Sequence, residues 1–329
     1  MRILVCGLGS MGKRRIGILN KKFPDFLICG VDPKKERREE VKKKTATTSK
    51  DFFEAFKSFG PDAVFVCSPP LTHADIVLFS LENNAHTFSE INLTSKGYDD
   101  IIRTAASFKK VAFLSSTFLY NREINWLIER TTRMNYLSYR YHTGQYLPDW
   151  HPWENYQDFF VFQKQTNALR EIMAIEFPWL FKAFGPVVDY KCMTSNLSQL
   201  DLEYPDTIHL ILKHKNGNKG TLSFDCVSRK AVRKLEVYND TCFFEWNGTP
   251  GTLTQYFSDK KETRTVNLYE DIEKNPDYAG FIIENPYAKE VEAFIHQIEN
   301  PDHSSIYGYD QDRMVIDLID TIERQYEPI

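Results

Sequence analysis

The 329-residue sequence has no uninterrupted apolar run near the roughly 18 residues that a membrane-crossing helix needs, so a membrane is not an expected partner. Its six cysteines, Cys6, Cys29, Cys67, Cys192, Cys226 and Cys242, form no CxxC pair and no dense framework, which argues against both a structural zinc site and a disulfide scaffold. No metal is expected. Positive charge is not in excess, because 41 Lys and Arg stand against 45 Asp and Glu for a net charge of −4. Nothing would concentrate nucleic acid around the molecule. Internal repeats and low-complexity linkers are also missing. The opening run Arg2-Ile3-Leu4-Val5-Cys6 meets Gly7 before the core of a signal peptide is complete, so the reading is of a chain that starts on a strand and works in the cytoplasm.

What is present is ordinary for a packed protein: 42% hydrophobic and 26% charged residues, over a length that predicts about two domains. From Met1 to about Ser116, short β-rich runs at 3–6, 26–31, 63–67, 86–89 and 111–114 alternate with helical segments starting near Met11, Pro33, Phe52, His73 and Ser95. That alternation predicts a doubly wound parallel sheet. Beyond Thr117 the pattern turns to successive strands, at 137–142, 187–194, 207–214, 220–226, 232–238, 242–246 and 252–257, with hairpin signals at Asn216-Gly217 and Asn247-Gly248. The expected fold is therefore α/β: a first domain over 1–117, then an α+β domain over 118–329 with a mainly antiparallel sheet. A long helix is predicted from about Gln165 to Phe184, kinked at Pro178, and two more over 287–298 and 309–326.

Chemistry concentrates in Gly7-Leu8-Gly9-Ser10-Met11-Gly12, a GxGxxG that follows a strand and opens a helix. Asp32 closes the next strand, 32 − 12 = 20 residues past the last glycine. This arrangement binds dinucleotides: Gly7 permits the tight turn, Gly9 lets backbone N–H groups, including those of Ser10 and Met11, approach a pyrophosphate, and Gly12 packs the helix close. Asp32 is suited to the adenosine ribose hydroxyls and its charge opposes a 2′-phosphate, so NAD is expected ahead of NADP. Lys34, Lys35, Arg37 and Arg38 leave NADP open, although a solvated helix face explains them equally well. The loop Cys67-Ser68-Pro69-Pro70-Leu71-Thr72-His73 and the strand end at Glu90 should lie on the same carboxyl edge, which adds Ser68, Pro69, His73 and Glu90 to the cofactor-binding set.

The segments GLGSMG (7–12), VDP (31–33), CSPPLTH (67–73) and the Phe88-Ser89-Glu90 strand end, with the order of helices and strands after them, resemble the Gfo/Idh/MocA oxidoreductase family over nearly the whole chain. The resemblance implies an N-terminal Rossmann domain that binds NAD, and a second domain with an open-faced sheet that serves substrate binding and oligomerisation. It implies hydride transfer between a nicotinamide and a sugar or nucleotide-sugar hydroxyl or carbonyl, and a homodimer or homotetramer built through the sheet. Residues 144–153, GQYLPDWHPW, look like members associated with bacterial surface-sugar metabolism.

Two departures matter. Family members carry Glu-Lys-Pro at the strand end, where this chain has Glu90-Ile91-Asn92. They also carry an aspartate followed four residues on by a histidine, where registration on Phe184-Gly185 gives Glu171 and Ile175. Isoleucine cannot accept a proton, so another group must do so or no turnover occurs. Lys164 and Glu171, seven residues apart, share a face if the helix begins by Lys164, and they are candidates with His151. His142 is a further candidate, and Trp150, Trp153 and Tyr156 suit stacking on a sugar ring. The competing readings are a surface ion pair for Lys164 and Glu171 and packing roles for the rest. For the protein they are a catalytically silent dinucleotide-binding sensor or scaffold, or chemistry such as redox-assisted elimination.

Overall fold

A computed structural model describes residues 1–152, 154–274 and 282–326. The chain divides into two units, the first made of Met1–Thr117 with Pro286–Ile316 and the second of Phe118–Asn285 with Asp317–Ile329. Residue 117 is thus where the first unit's N-terminal segment ends, but residues 286–316 return to that unit, which no pattern in the sequence announced.

The first unit contains β1 (Arg2–Cys6), α1 (Ser10–Lys22), β2 (Leu27–Val31), α2 (Lys35–Val41), β3 (Thr47–Ser49), α3 (Phe52–Phe59), β4 (Ala63–Val66), α4 (His73–Glu82), β5 (His86–Ser89), α5 (Tyr98–Phe108) and β6 (Ala112–Leu114). Its six strands are all parallel in the order β3-β2-β1-β4-β5-β6. Ile3, Leu4, Val5 and all of β4 are buried, which is why these runs are continuously apolar and not alternating. Strand order reverses between β1 and β4, and in open α/β sheets ligands bind at the carboxyl ends beside such a switch point. The glycine turn after β1 and the Cys67–Thr72 loop after β4 flank it. Only the short edge strand β3 escaped the sequence reading, because three polar residues carry no periodic signal.

The second unit contains α6 (Arg122–Thr131), β7 (Ser138–Gly144), α7 (Ala168–Phe184), β8 (Val187–Ser195), β9 (Thr207–His214), β10 (Lys219–Asp225), β11 (Val232–Tyr238), β12 (Phe243–Trp246), β13 (Thr254–Phe257) and β14 (Glu262–Thr265). Its sheet runs β14-β13-β12-β11-β7-β10-β9-β8, antiparallel except for the β7–β10 pair. In β9 burial alternates: Ile208, Leu210 and Leu212 face inward, while His209, Ile211 and Lys213 are exposed. α7 covers the inward face, with Phe184 stacked on Tyr139 at 4.0 Å and Trp179 set edge-on to Tyr141. Asn216-Gly217 does turn β9 into β10, with Gly217 at φ +90°, but Asn247-Gly248 opens a longer connection between β12 and β13 and not a two-residue hairpin. The strand β14, exposed throughout, and α6 were not foreseen.

The helices α8 (Asn285–Glu299) and α9 (Tyr309–Glu323) complete the chain. Phe294 of α8 explains the return to the first unit. It meets edge-on a ladder of Phe65, Phe88 and Phe113 that stack across β4, β5 and β6 at centroid distances of 4.7 and 5.1 Å.

Candidate functional site

The glycine turn has the shape that dinucleotide binding requires. Gly7 sits at φ +92°, and a Cβ there would stand 2.5 Å from the Cys67 carbonyl oxygen, while a Cβ on Gly12 would stand 1.9 Å from the Gly7 oxygen. Neither position admits another residue without backbone movement. Gly9 differs, since a Cβ on it would meet nothing nearer than an Arg37 guanidinium nitrogen at 3.7 Å. Its open face lies at the N-terminus of α1, whose first turn carries no acidic residue and whose cap has no side-chain hydrogen bond. Amide N–H groups and the helix dipole there favour an anion.

Asp32, 3% exposed, is held by its own loop: Leu8 N–H donates to Oδ2 at 2.9 Å and Lys34 N–H to Oδ1 at 2.8 Å. Each oxygen keeps a second lone pair for a ribose hydroxyl. Arg37 lies 3.6 Å from Oδ2, and Arg38 donates to the Asp32 and Pro33 carbonyls. These residues fit a diphosphate with an attached ribose.

His73 is a clamp. Both ring nitrogens lie within hydrogen-bond distance of oxygens, Nε2 of the Ser68 carbonyl at 2.7 Å and Nδ1 of Asn92 Oδ1 at 2.8 Å, while burial pushes the ring's pKa down. It thereby fixes Ser68, and Pro69 with it, beside the switch point. Asn92 also bonds Tyr98, whose hydroxyl donates to Asp312 on α9. Tyr307 donates to the other Asp312 oxygen at 2.7 Å, and burial raises that carboxyl to about 6.

Glu90 is almost sealed and bound by Arg15, with Nε 2.6 Å from Oε1 and NH2 3.1 Å from Oε2. The same Arg15 NH2 donates to Glu290 Oε2 at 2.8 Å, and Glu290 also accepts from Ser115 Oγ, Ser116 N–H and Thr117 Oγ1. Burial alone would lower the Arg15 pKa, yet the two carboxylates outweigh it and keep the guanidinium charged. Burial and Glu90 push Glu290 up against the pull of Arg15. Sequence reasoning missed both Arg15 and Glu290. The available signal was a charged residue set within the buried stripe of each helix.

In the second unit, α7 starts at Ala168 and not near Gln165. Asn167 caps it by accepting from Arg170 N–H at 2.8 Å, and Lys164 lies in a separate short turn. The shared helical face proposed for Lys164 and Glu171 therefore does not exist, and burial is the sole cause of the shift at Glu171. Lys164 is exposed. Glu171 Oε2 is enclosed with no hydrogen-bond partner among the described residues, and its carboxyl is pushed up to about 8. His151 pairs with Glu154 at 2.7 Å and His142 with Asp225 at 2.7 Å. Trp150 and Tyr156 pack against a core cluster that includes Leu147, Val161 and Tyr204. Trp153 lies outside the described residues. Helix α7 runs on through Pro178, and its buried Glu176, also missed, takes Tyr141, Trp179 and Arg233 as donors.

Residues 1–115 match the NAD-binding Rossmann fold of the Gfo/Idh/MocA oxidoreductases. Over this N-terminal segment the chain is similar to the Gfo/Idh/MocA oxidoreductases. One relative, scyllo-inositol 2-dehydrogenase (NAD(+)) of Bacillus subtilis, is 30% identical over 122 residues, 35% of this chain and 36% of that protein. A second, myo-inositol 2-dehydrogenase of Thermotoga maritima, is 24% identical over 332 residues, covering 94% of this chain and 92% of its own length. Among solved structures, myo-inositol 2-dehydrogenase from Lactobacillus plantarum superposes with a TM-score of 0.78 at 14% identity, over 98% of this chain and 96% of that one. That likeness shows a shared fold, with a parallel sheet in one unit and a mainly antiparallel sheet in the other. Among the described residues no helix is long and apolar enough to cross a membrane.

Proposed function

We propose that the protein is an NAD-dependent oxidoreductase that moves a hydride between a nicotinamide and a hydroxyl or carbonyl carbon of a carbohydrate or nucleotide sugar. The observation that carries this is the open face of Gly9 between the two sterically locked glycines Gly7 and Gly12, with Asp32 beside it. The inositol dehydrogenases among its relatives support a polyol-like substrate.

When bound, NAD supplies the hydride acceptor. The N–H groups of the glycine turn, including Ser10 and Met11, hold the diphosphate, and Asp32 takes the adenosine ribose. Ser68, Pro69, His73 and Glu90 shape the edge on which the rest of the cofactor lies. NAD is preferred because Asp32 opposes a 2′-phosphate, an opposition that Arg37 weakens. Glu171 is the best supported proton carrier, since its enclosed, unpartnered carboxyl near pKa 8 is poised for acid–base work around neutral pH. Lys164 and His151 are secondary candidates for contact with substrate. The protein works in the cytoplasm on sugars of surface polymers, as a homodimer or homotetramer. Its contact face is the exposed side of the second sheet, where Met193 and Ile211 stand among Lys191, His209 and Lys213.

The test is to incubate the protein with NAD and a panel of inositols, free sugars and UDP-sugars while following nicotinamide absorbance. Reduction with one of them is expected. NAD binding without reduction of any would favour the second reading, a silent dinucleotide-binding sensor, for which Ile91 and Ile175 are the specific observations.

A further inference from the structure

The cluster around Arg15 holds two carboxylates against one guanidinium. Glu290 accepts four hydrogen bonds, from Ser115 Oγ (3.0 Å) and Ser116 N–H (2.7 Å) on Oε1 and from Thr117 Oγ1 (2.9 Å) and Arg15 (2.8 Å) on Oε2. These four donors favour its ionised form, against burial and the nearby Glu90, which push its pKa up. Both oxygens of Glu90 are met by the Arg15 fork. The neighbouring Cys67 thiol, 3.8 Å from Glu90 Oε1, is kept neutral by burial and by Glu90. Arg14, the next cation on α1, has Met11 Sδ at 3.3 Å and the Tyr287 ring at 4.2 Å among its contacts.

The side chains of Arg15 and Glu290 are fully buried, and only Glu90 reaches the surface, with 10% of its side chain exposed. The second negative charge therefore faces outward through Glu90, at the carboxyl end of β5. In a dinucleotide lying across the switch point, the adenosine half occupies the β2 side, marked by Asp32, and the other nucleoside runs over the ends of β4 and β5.

We infer that Glu290 is a charge-setting residue: acting through Arg15 and Glu90, it makes this edge favour the oxidised pyridinium form of the cofactor over the reduced form. This rests on the cofactor reading proposed above. The oxidised ring carries one positive charge, and the hydride it accepts brings two electrons and one proton's nucleus, leaving the ring neutral. A fixed negative charge in a poorly screened environment discriminates between these two forms and between nothing else in the molecule. The effect pulls the bound equilibrium away from hydride uptake, toward reduction of a carbonyl on the substrate.

The experiment is a calorimetric titration of the full chain with NAD and, separately, with NADH, for wild type, Glu290→Gln and Glu90→Gln. Each substitution removes one negative charge and keeps the side-chain shape. In Glu290→Gln, with the fold checked by circular dichroism and melting, the ratio of the NAD to the NADH dissociation constant should rise about tenfold, ~1.4 kcal/mol. Glu90→Gln should move it the same way, and decides the matter if the buried variant does not fold. A ratio within twofold of wild type in a folded variant, with both cofactors still binding, overturns the inference and leaves the cofactor reading intact. Failure of wild type to bind either form overturns both.

Discussion

Replacing Arg15 by Met keeps an apolar stem under Phe88, over whose ring the guanidinium now lies at 4.6 Å, and removes the cation that joins two carboxylates. Arg15 and Glu290 are 0% exposed and Glu90 only 8%, so water replaces little of the lost bonding. Breaking a buried ion pair by removing one partner costs about 3–5 kcal/mol, a large fraction of the ~5–15 kcal/mol that holds a domain folded. The loss should carry a pH signature. Glu290, already pushed up by burial and Glu90, rises further above the ~4.3 of the unfolded chain when it loses its cation, so the variant binds more protons folded than unfolded. The deficit relative to wild type is then greatest above that raised pKa, shrinks as pH falls through it, and is smallest below ~4.3. Urea titrations of both proteins from pH 8 to pH 5 measure it. A deficit under ~1 kcal/mol at pH 8, or one that does not shrink on acidification, would refute the buried three-charge account.

Other outcomes follow from the same geometry. Glu171, raised to about 8 by burial, contributes stability that is present below its ordinary value of 4.5 and lost as pH rises through 8. Glu171→Gln should therefore be more stable than wild type at pH 9 and equal to it near pH 4, while turnover falls ~100-fold and NAD affinity holds; an unchanged pH slope in urea would remove the buried carboxyl from the account. Tyr307→Phe takes one donor from Asp312, whose folded pKa of about 6 already exceeds the ~3.9 of an unfolded aspartate. It should cost about 1–3 kcal/mol at pH 7 and less below pH 4, as read by thermal melts at both pH values.

The parallel sheet was legible because its signals are local. Continuous apolar strands such as Ala63–Val66, the glycine spacing and Asp32 each state their role within a few residues. The alternation of β9 and the Asn216-Gly217 turn did the same for the second sheet. What the sequence hid is long-range. Arg15 and Glu90 are 75 residues apart, Arg15 and Glu290 are 275 apart, and no local pattern pairs them. Helix α7 was read three residues too long because apolar periodicity does not mark a helix start; Asn167 accepts from Arg170 N–H and caps it there. That shift dissolved the pairing of Lys164 with Glu171. The enclosure of Glu171 was equally invisible, since residues remote in sequence surround it.

The most direct measurement is NAD titration into wild type, Gly9→Ala and Gly12→Ala, with melting followed in parallel. The open face of Gly9 predicts that Gly9→Ala melts with wild type and loses most of its NAD affinity, because the added methyl occupies the space meant for the diphosphate. Gly12→Ala should be strongly destabilised without any cofactor, since its Cβ would collide with the Gly7 carbonyl oxygen. NAD binding to Gly9→Ala as tight as to wild type, or no heat of binding with wild type, would contradict the claim that this turn is a dinucleotide cradle.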